Sequence, residues 1–511
     1  MMSLLGSQVL GALFMGGAFI FLARGIVRRA NGKPFSPIPT VIFLFLGVLV
    51  ELASPSGSLL SNFGDLLLSL GIGMGLGAAF LWWKKGKAIL LLVPAVLAVL
   101  ASGGIYGLEQ AYHWVSADIK DKSDTVSLLL EIGPDDDISE LEPVLIVYDA
   151  VTEKAFPNVD LSESEDLAQY YLVYVAEKDH EALMYDLRQD AENVDQVALN
   201  REVSLIEPTK AEPLRNPPSK FLANDPFLSQ QWYANSLDYN GVHQMLKELT
   251  PKKKAKVAIV DTGVDGVHED IKGVYTRSGG IGDQDKHSHG THCAGLAGAA
   301  TNNGKGVGSL NWDGRFVSLS GYPALDEKGR GTEQRVAQAI IDAAEGGADV
   351  ISMSLGGPAF FGPPKSQRDA INYARKLGAI VVVAAGNSND DARRYSPANI
   401  PGVITVSAVD ENLNKAAFSN TNTRLKMPIA APGVNILSSV PGSDYQSYNG
   451  TSMATPIVSG LVGLLKSLRP ELTEKEVYKI LQQTGTSVKD SDKVGRVINP
   501  KAALLQVIGS N

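Results

Sequence analysis

One short stretch governs what this chain can become: Asn449-Gly450-Thr451-Ser452-Met453-Ala454-Thr455-Pro456. It gains meaning beside two others, 257–264 (VAIVDTGV) and 289–295 (HGTHCAG). A serine hydroxyl is a poor nucleophile at neutral pH. It needs a base to take its proton and a third group to orient that base. Asp261, His289 and Ser452 offer those three roles. Their chain order, Asp then His then Ser, is one of several on which unrelated folds have converged. Any fold that uses them must bring residues far apart in sequence to one point.

From about residue 222 the pattern is α/β. Apolar runs at 255–260, 316–320, 349–355, 379–385 and 402–408 predict strands. Helical spacing at 289–300, 332–346, 366–378 and 451–468 predicts helices between and after them. Such alternation implies a three-layer arrangement, a mostly parallel sheet with helices on both faces. Functional residues of these sheets gather at the carboxyl ends of strands. Asp261 ends the first run, and His289 and Ser452 each open a helix. A helix start offers free N–H groups and a positive dipole end, which suit a developing oxyanion.

These stretches resemble the signatures of the subtilisin-like serine proteases, nearest in wording to the thermitase and proteinase K branches. The resemblance covers roughly 222–511 and takes in Met353-Ser354-Leu355-Gly356-Gly357, Ala384-Ala385-Gly386-Asn387 and Ala431-Pro432-Gly433. It implies a subtilisin-like fold and an endopeptidase that needs no cofactor for its chemistry. By the resemblance, Ser452 would attack the peptide carbonyl, His289 would relay the proton, and Asp261 would orient the imidazole. Asn387 would hold the oxyanion beside the Ser452 N–H. Ser354, Leu355 and Gly356 would form one wall for an extended peptide, and Gly329-Arg330-Gly331 the other. Gly356 and Gly386 would leave room for the substrate's approach. Arg330 departs from the small residue expected between the two glycines. It either favours acidic substrate side chains or is simply solvated. Asp390 and Asp391 fall near the expected primary pocket, with Arg393 and Arg394 close enough to pair with them. Members of the thermitase branch carry a structural calcium. Asp225, Asp270 and Asn303 match its ligand positions, while Gly304-Lys305 departs from the pattern. Cys293, one helical turn past His289, reads as a small buried residue beside it.

The N-terminal part is of another kind. Apolar stretches at about 4–23, 37–53, 63–83 and 88–107 predict a four-helix transmembrane region over 1–110. The second is the weakest, since Glu51 follows its clean run at once. Arg24, Arg28, Arg29 and Lys33 follow the first stretch, and Lys84, Lys85 and Lys87 the third; Glu51, Asp65, Glu109 and Asp118 mark the other side. Basic short loops stay in the cytoplasm, so both chain ends are expected outside it. A cleavable signal peptide is the rival reading of the first stretch, but its leading residues carry no positive side chain.

Residues 116–205 form an acidic segment that predicts a small α+β module. Its strands are expected at 125–132, 170–176 and 195–200, with a helical region near 137–153 and a helix at 179–190. A proline-rich linker over 206–221 separates it from the domain at 222–511. Standing directly before that domain, the module reads as an inhibitory pro-region; an ordinary extracytoplasmic domain is the alternative.

The net charge of −9 and the lack of a basic stripe argue against nucleic acid as a partner. The expected partners are polypeptide substrates, the lipid bilayer and the chain's own pro-region. With one cysteine, no intrachain disulfide can form. The sequence therefore reads as a multi-pass, membrane-anchored serine endopeptidase with its peptidase domain on the extracytoplasmic side. A different class, a catalytically silent membrane protein using the domain as a peptide-binding scaffold, finds no support in the motifs, since no triad member is missing.

Overall fold

The computed structural model describes residues 125–159, 162, 164–205, 209–211, 221–276, 283–360 and 362–509. The four stretches expected to span a membrane lie outside these residues, as does most of the predicted linker. The described residues divide into two compact units, 125–155 with 169–199, and 156–168 with 200–509.

The first unit is a four-stranded antiparallel sheet in the order β2-β3-β1-β4. Its strands are β1 (Thr125–Ile132), β2 (Val151–Lys154), β3 (Tyr170–Ala176) and β4 (Val194–Leu199). Strand side chains alternate between faces. Leu128, Leu130 and Ile132 of β1 and Val173 and Val175 of β3 accordingly share one buried cluster. Helices α1 (Glu142–Val147) and α2 (His180–Gln189) close it with Leu145, Leu183 and Leu187. The expected helical region near 137–153 ends earlier, and β2 takes its last residues.

From residue 200 on, the second unit carries two short strands, β5 (Glu202–Ser204) and β6 (Thr209–Ala211). Helix α3 (Tyr239–Glu248) follows them. Its centre is a six-stranded, all-parallel sheet in the order β15-β14-β12-β10-β7-β8. The strands are β7 (Ala255–Asp261), β8 (Val317–Pro323), β10 (Val350–Met353), β12 (Ile380–Ala384), β14 (Ile404–Val409) and β15 (Pro428–Pro432). Every residue of β10, β12 and β14 is buried, as strands covered on both faces must be. Helix α4 (His289–Gly298) packs with α7 (Thr451–Leu468), and α5 (Glu333–Glu345) packs with α6 (Lys365–Lys376).

The sixth strand, β15, is missing from the sequence reading because prolines stand at both its ends. Proline lacks the donor a central strand needs, and β15 is accordingly an edge. Smaller strands frame the sheet's carboxyl end. β9 (Arg330–Thr332) pairs with β5, β11 (Gly357–Pro358) with β13 (Tyr395–Ser396), and β16 (Ile436–Val440) with β17 (Asp444–Asn449).

Among the described residues α7 is the one helix long and apolar enough to cross a membrane, and all of it is buried within this unit. Its small residues let neighbours approach closely. A Cβ placed on Gly460 would lie 2.4 Å from the carbonyl oxygen of Ala297 in α4. The helices that begin with His289 and just before Ser452 are thereby held backbone to backbone.

Candidate active site

Asp261 is the last residue of β7 and is fully buried. Its Oδ1 accepts from the Thr262 N–H at 2.8 Å and from His289 Nδ1 at 2.7 Å. His289 is the first residue of α4, also fully buried, and its Nε2 makes no hydrogen bond. Burial opposes the imidazolium, but the Asp261 carboxylate and Cys293 together outweigh it and raise the His289 pKa above the ordinary range.

The turn leading into α4 is fixed by a residue that motif reading misses. The buried carboxylate of Asp285 accepts from the N–H groups of His287, Ser288 and Thr291, each at 2.9 Å. It also accepts from the hydroxyls of Thr262 and Thr291, at 3.0 and 2.7 Å. Thr262 Oγ1 in turn accepts from the Gly290 N–H at 3.0 Å. The end of β7 and the start of α4 are thus tied together, one residue from Asp261 and one from His289. The signal available in sequence was an Asp placed just before a helix start, where it can satisfy free N–H groups.

Ser452 is the second residue of α7. Proline has no N–H, so Pro456, four residues on, leaves the Ser452 carbonyl without its helical partner. Two side chains take it: Ser354 Oγ donates at 2.9 Å and Cys293 Sγ at 3.5 Å. Cys293 Sγ also lies 3.9 Å from His289 Nδ1, so the residue between the two helices touches both. Burial raises the Cys293 thiol pKa. The Ser452 hydroxyl itself donates to the Ser354 carbonyl at 3.1 Å rather than to His289. Hydrogen bonds of this kind are often long or misaligned without substrate and tighten once it binds.

Asn387 is oriented by Thr451, whose N–H and hydroxyl donate to its Oδ1 at 2.9 and 2.8 Å. That fixes Nδ2 on the other side. A Cβ built on Gly450 would lie 3.4 Å from Asn387 Nδ2 and 3.5 Å from the Ser452 nitrogen. Two donor nitrogens therefore lie near one point beside Ser452. Asn387 and Ser452 also line one recess together with Ser354, Leu355, Gly356, Ala384, Gly386 and Tyr395.

Gly386 has a reason of its own, different from substrate access. Its φ is +100°, and a Cβ there would lie 2.5 Å from Asn420 Nδ2. A Cβ on Gly356 would likewise meet the Ser396 carbonyl at 2.6 Å. Both glycines are required by packing within the chain. Asp390 and Asp391 are paired with Arg394 at 3.4 Å and Arg393 at 2.8 Å.

Gly329 and Gly331 flank the first residues of β9, and what lies on β9 is part of the chain itself. Glu202, Val203 and Ser204 pair antiparallel with Thr332, Gly331 and Arg330. The Leu205 N–H continues the ladder to the Gly329 carbonyl at 2.7 Å. Val203 and Leu205 line a groove of about 300 Å³ with Leu355, Gly356 and Ser396. Further on, Thr209, Lys210 and Ala211 pair antiparallel with Asn449, Tyr448 and Ser447, directly before Gly450-Thr451-Ser452. One segment thus runs along β9 on one side of the site and along β17 on the other. Composition had assigned its second half to a linker.

Asp225, Asp270 and Asn303 come together some way off. Asn303 joins them: its N–H donates to Asp225 at 3.3 Å, and its Nδ2 donates to Asp270 at 3.1 Å. Asp270 Oδ2 accepts from the Val307 N–H and the Tyr445 hydroxyl, both at 2.9 Å. Burial, with Asp270 nearby, pushes the Asp225 carboxyl up to about 6. The two buried carboxylates offer oxygen ligands that suit a hard cation, while the Asn303 amide turns Nδ2 to Asp270 and its Oδ1 accepts from the Lys305 N–H at 2.7 Å. Lys305 is turned toward Glu269, at 3.8 Å, and both are partly exposed.

The Subtilase family model matches residues 252–497. Thermitase of Thermoactinomyces vulgaris is 39% identical over 252 residues, which are 48% of this chain and 86% of that protein. Subtilisin DY of Bacillus licheniformis is 39% identical over 255 residues, 48% of this chain and 90% of that protein. A solved structure titled as proteases from Pseudoalteromonas arctica PAMC 21717 is 29% identical, with a TM-score of 0.49, and the match covers 56% of this chain and 99% of that one. The family model and the two relatives, thermitase and subtilisin DY, define a serine endopeptidase, a hydrolase. The chain belongs to the subtilase family.

Proposed function

We propose that Ser452, His289 and Asp261 act as nucleophile, general base and orienting acid in peptide-bond hydrolysis. Ser452 Oγ adds to the carbonyl carbon while its proton passes to His289 Nε2, the nitrogen without a partner. Asp261 holds the other ring nitrogen and stabilises the cation. The carbonyl oxygen, now negative, enters the volume between Asn387 Nδ2 and the Ser452 N–H. His289 then gives its proton to the leaving amine. Water repeats the sequence on the acyl-enzyme and frees Ser452. The observation that carries this reading is the nearness of those two donor nitrogens to one point beside a serine whose helix packs on that of the buried Asp261–His289 pair.

Residues 202–205 and 209–211 occupy the place of an extended substrate, in this reading. The first group lies on β9 and the second on β17, as main-chain strand addition requires. The residues before them are then an inhibitory pro-region, and self-cleavage falls between Leu205 and Thr209. The apolar stretches over 1–110 support anchoring in a membrane, with the peptidase domain on the extracytoplasmic side. A calcium ion would be held by Asp225, Asp270 and Asn303, and it would stabilise the fold rather than take part in the reaction.

A fluorophosphonate probe tests the central assignment. We expect a covalent adduct on Ser452, mapped by peptide mass spectrometry, and loss of casein hydrolysis in Ser452→Ala. An adduct elsewhere, or a Ser452→Ala chain that digests casein normally, contradicts it.

A further inference from the structure

The strand lying on β9 is anchored upstream by an ion pair. Arg201 directly precedes Glu202, the residue paired with Thr332. Its Nε lies 3.3 Å from Glu333 Oε1. The Glu333 side chain is only 8% exposed, whereas that of Arg201 is 55% exposed. The backbones meet as well: the Glu333 N–H donates to the Arg201 carbonyl at 3.0 Å. One residue further out, Asn200 Oδ1 accepts from the Gln334 N–H at 3.0 Å.

Glu333 is the first residue of α5, whose start faces the strand. Thr332 Oγ1 satisfies the Arg335 N–H, and Arg201 and Asn200 satisfy the two before it. These caps would be met by the backbone or side chain of many peptides. The carboxylate is different. It is buried where the strand lies beside α5 and pairs with a side chain that arrives on the strand. A buried carboxylate favours a cation over a neutral group and repels an anion.

On the reading that β5 holds the place of a substrate, we propose that Glu333 is a specificity-determining residue. It selects an arginine or lysine two residues before the position paired with Gly331, a place filled in this chain by Arg201. The substrate class is then an extended polypeptide with a basic residue four positions upstream of the one at Leu205. The register is fixed by three ladder positions and the Leu205–Gly329 bond, so a shift by one residue would carry the cation away from Glu333.

Fluorogenic peptides copying residues 199–211 test this, one with arginine at position 201, one with alanine and one with glutamate. The readout is the ratio of kcat/KM between peptides on the same preparation of full-length chain, so the amount of active enzyme cancels. Because the arginine stays half in water, the wild type should favour the arginine peptide over the alanine peptide by about fivefold. In Glu333→Gln that ratio should fall toward one. In Glu333→Lys the glutamate peptide should become the preferred substrate. Equal use of the arginine and alanine peptides by the wild type, or an unchanged ratio in Glu333→Gln, overturns the assignment. A chain that digests casein but cleaves none of the three peptides overturns it too, along with the substrate-like placement of β5. A chain that cleaves nothing and takes no fluorophosphonate contradicts the protease reading itself, and this proposal with it.

Discussion

At single residues, chemistry and selectivity depend on the Asn387 amide, the Ser452 N–H and the Glu333 carboxyl. Asn387 is clamped through Oδ1 so that Nδ2 faces the volume beside Ser452. Asn387→Ala should lower kcat by about 10²–10³-fold, a size of loss already known for such a donor in a subtilisin. KM should change little; near-normal turnover would contradict the role. Glu333 makes a prediction with pH. Burial pushes its carboxyl up to about 7, and Arg201 pulls it back. A carboxyl raised above its unfolded value, about 4.3, lends stability fully below that value and loses it as pH rises through about 7. The charged form that attracts a cation is the one above about 7. The arginine-to-alanine ratio should therefore rise between about pH 6 and pH 8, and in Glu333→Gln it should stay flat. A ratio that falls with pH would contradict the direction.

The triad candidates were legible in the sequence because each sits in its own signature, one closing an apolar run and two opening helices. Asp285 and Glu333 were less so. Glu333 acts through Arg201, distant in sequence and without a motif, and Asp285, though its position before a helix start is a local signal, ties that helix to β7 only through the distant Thr262. Gly386 has a packing reason that no motif displays, since Asn420 lies behind it.

Among elements, the junction of α4 and α7 matters most, because it packs the helix that opens with His289 on the helix that carries Ser452. Gly460 lies where the backbones nearly touch. Gly460→Ala should cost about 1–3 kcal/mol by overpacking, seen as a lower unfolding midpoint. It should also lower kcat/KM by moving the helices apart; unchanged stability and activity would show that the junction tolerates a side chain. The parallel sheet was readable from its apolar runs. The strands β5 and β6 were not, for a physical reason. Each is three residues of mostly exposed chain, too short for a period to stand out, and each is a strand only through its pairing with β9 or β17. The proline-rich composition around β6 pointed to an exposed linker, and the local chemistry of a linker is compatible with an extended strand.

For the whole molecule, the proposed anchor and the strand in the cleft make separate demands. Carbonate-washed membranes should retain the precursor, and protease added to spheroplasts should remove an epitope fused after Asn511. Release of the precursor by the wash would contradict anchoring without touching the chemistry. The central claim is that this subtilase holds its own chain across an active cleft as its first substrate. Mass spectrometry of the N-terminus of the mature chain, beside Ser452→Ala made the same way, tests it most directly. The account predicts a new N-terminus between Leu205 and Thr209 in the wild type and none in Ser452→Ala. Identical trimming of both chains, or no cleavage in a wild type that digests casein, would contradict it.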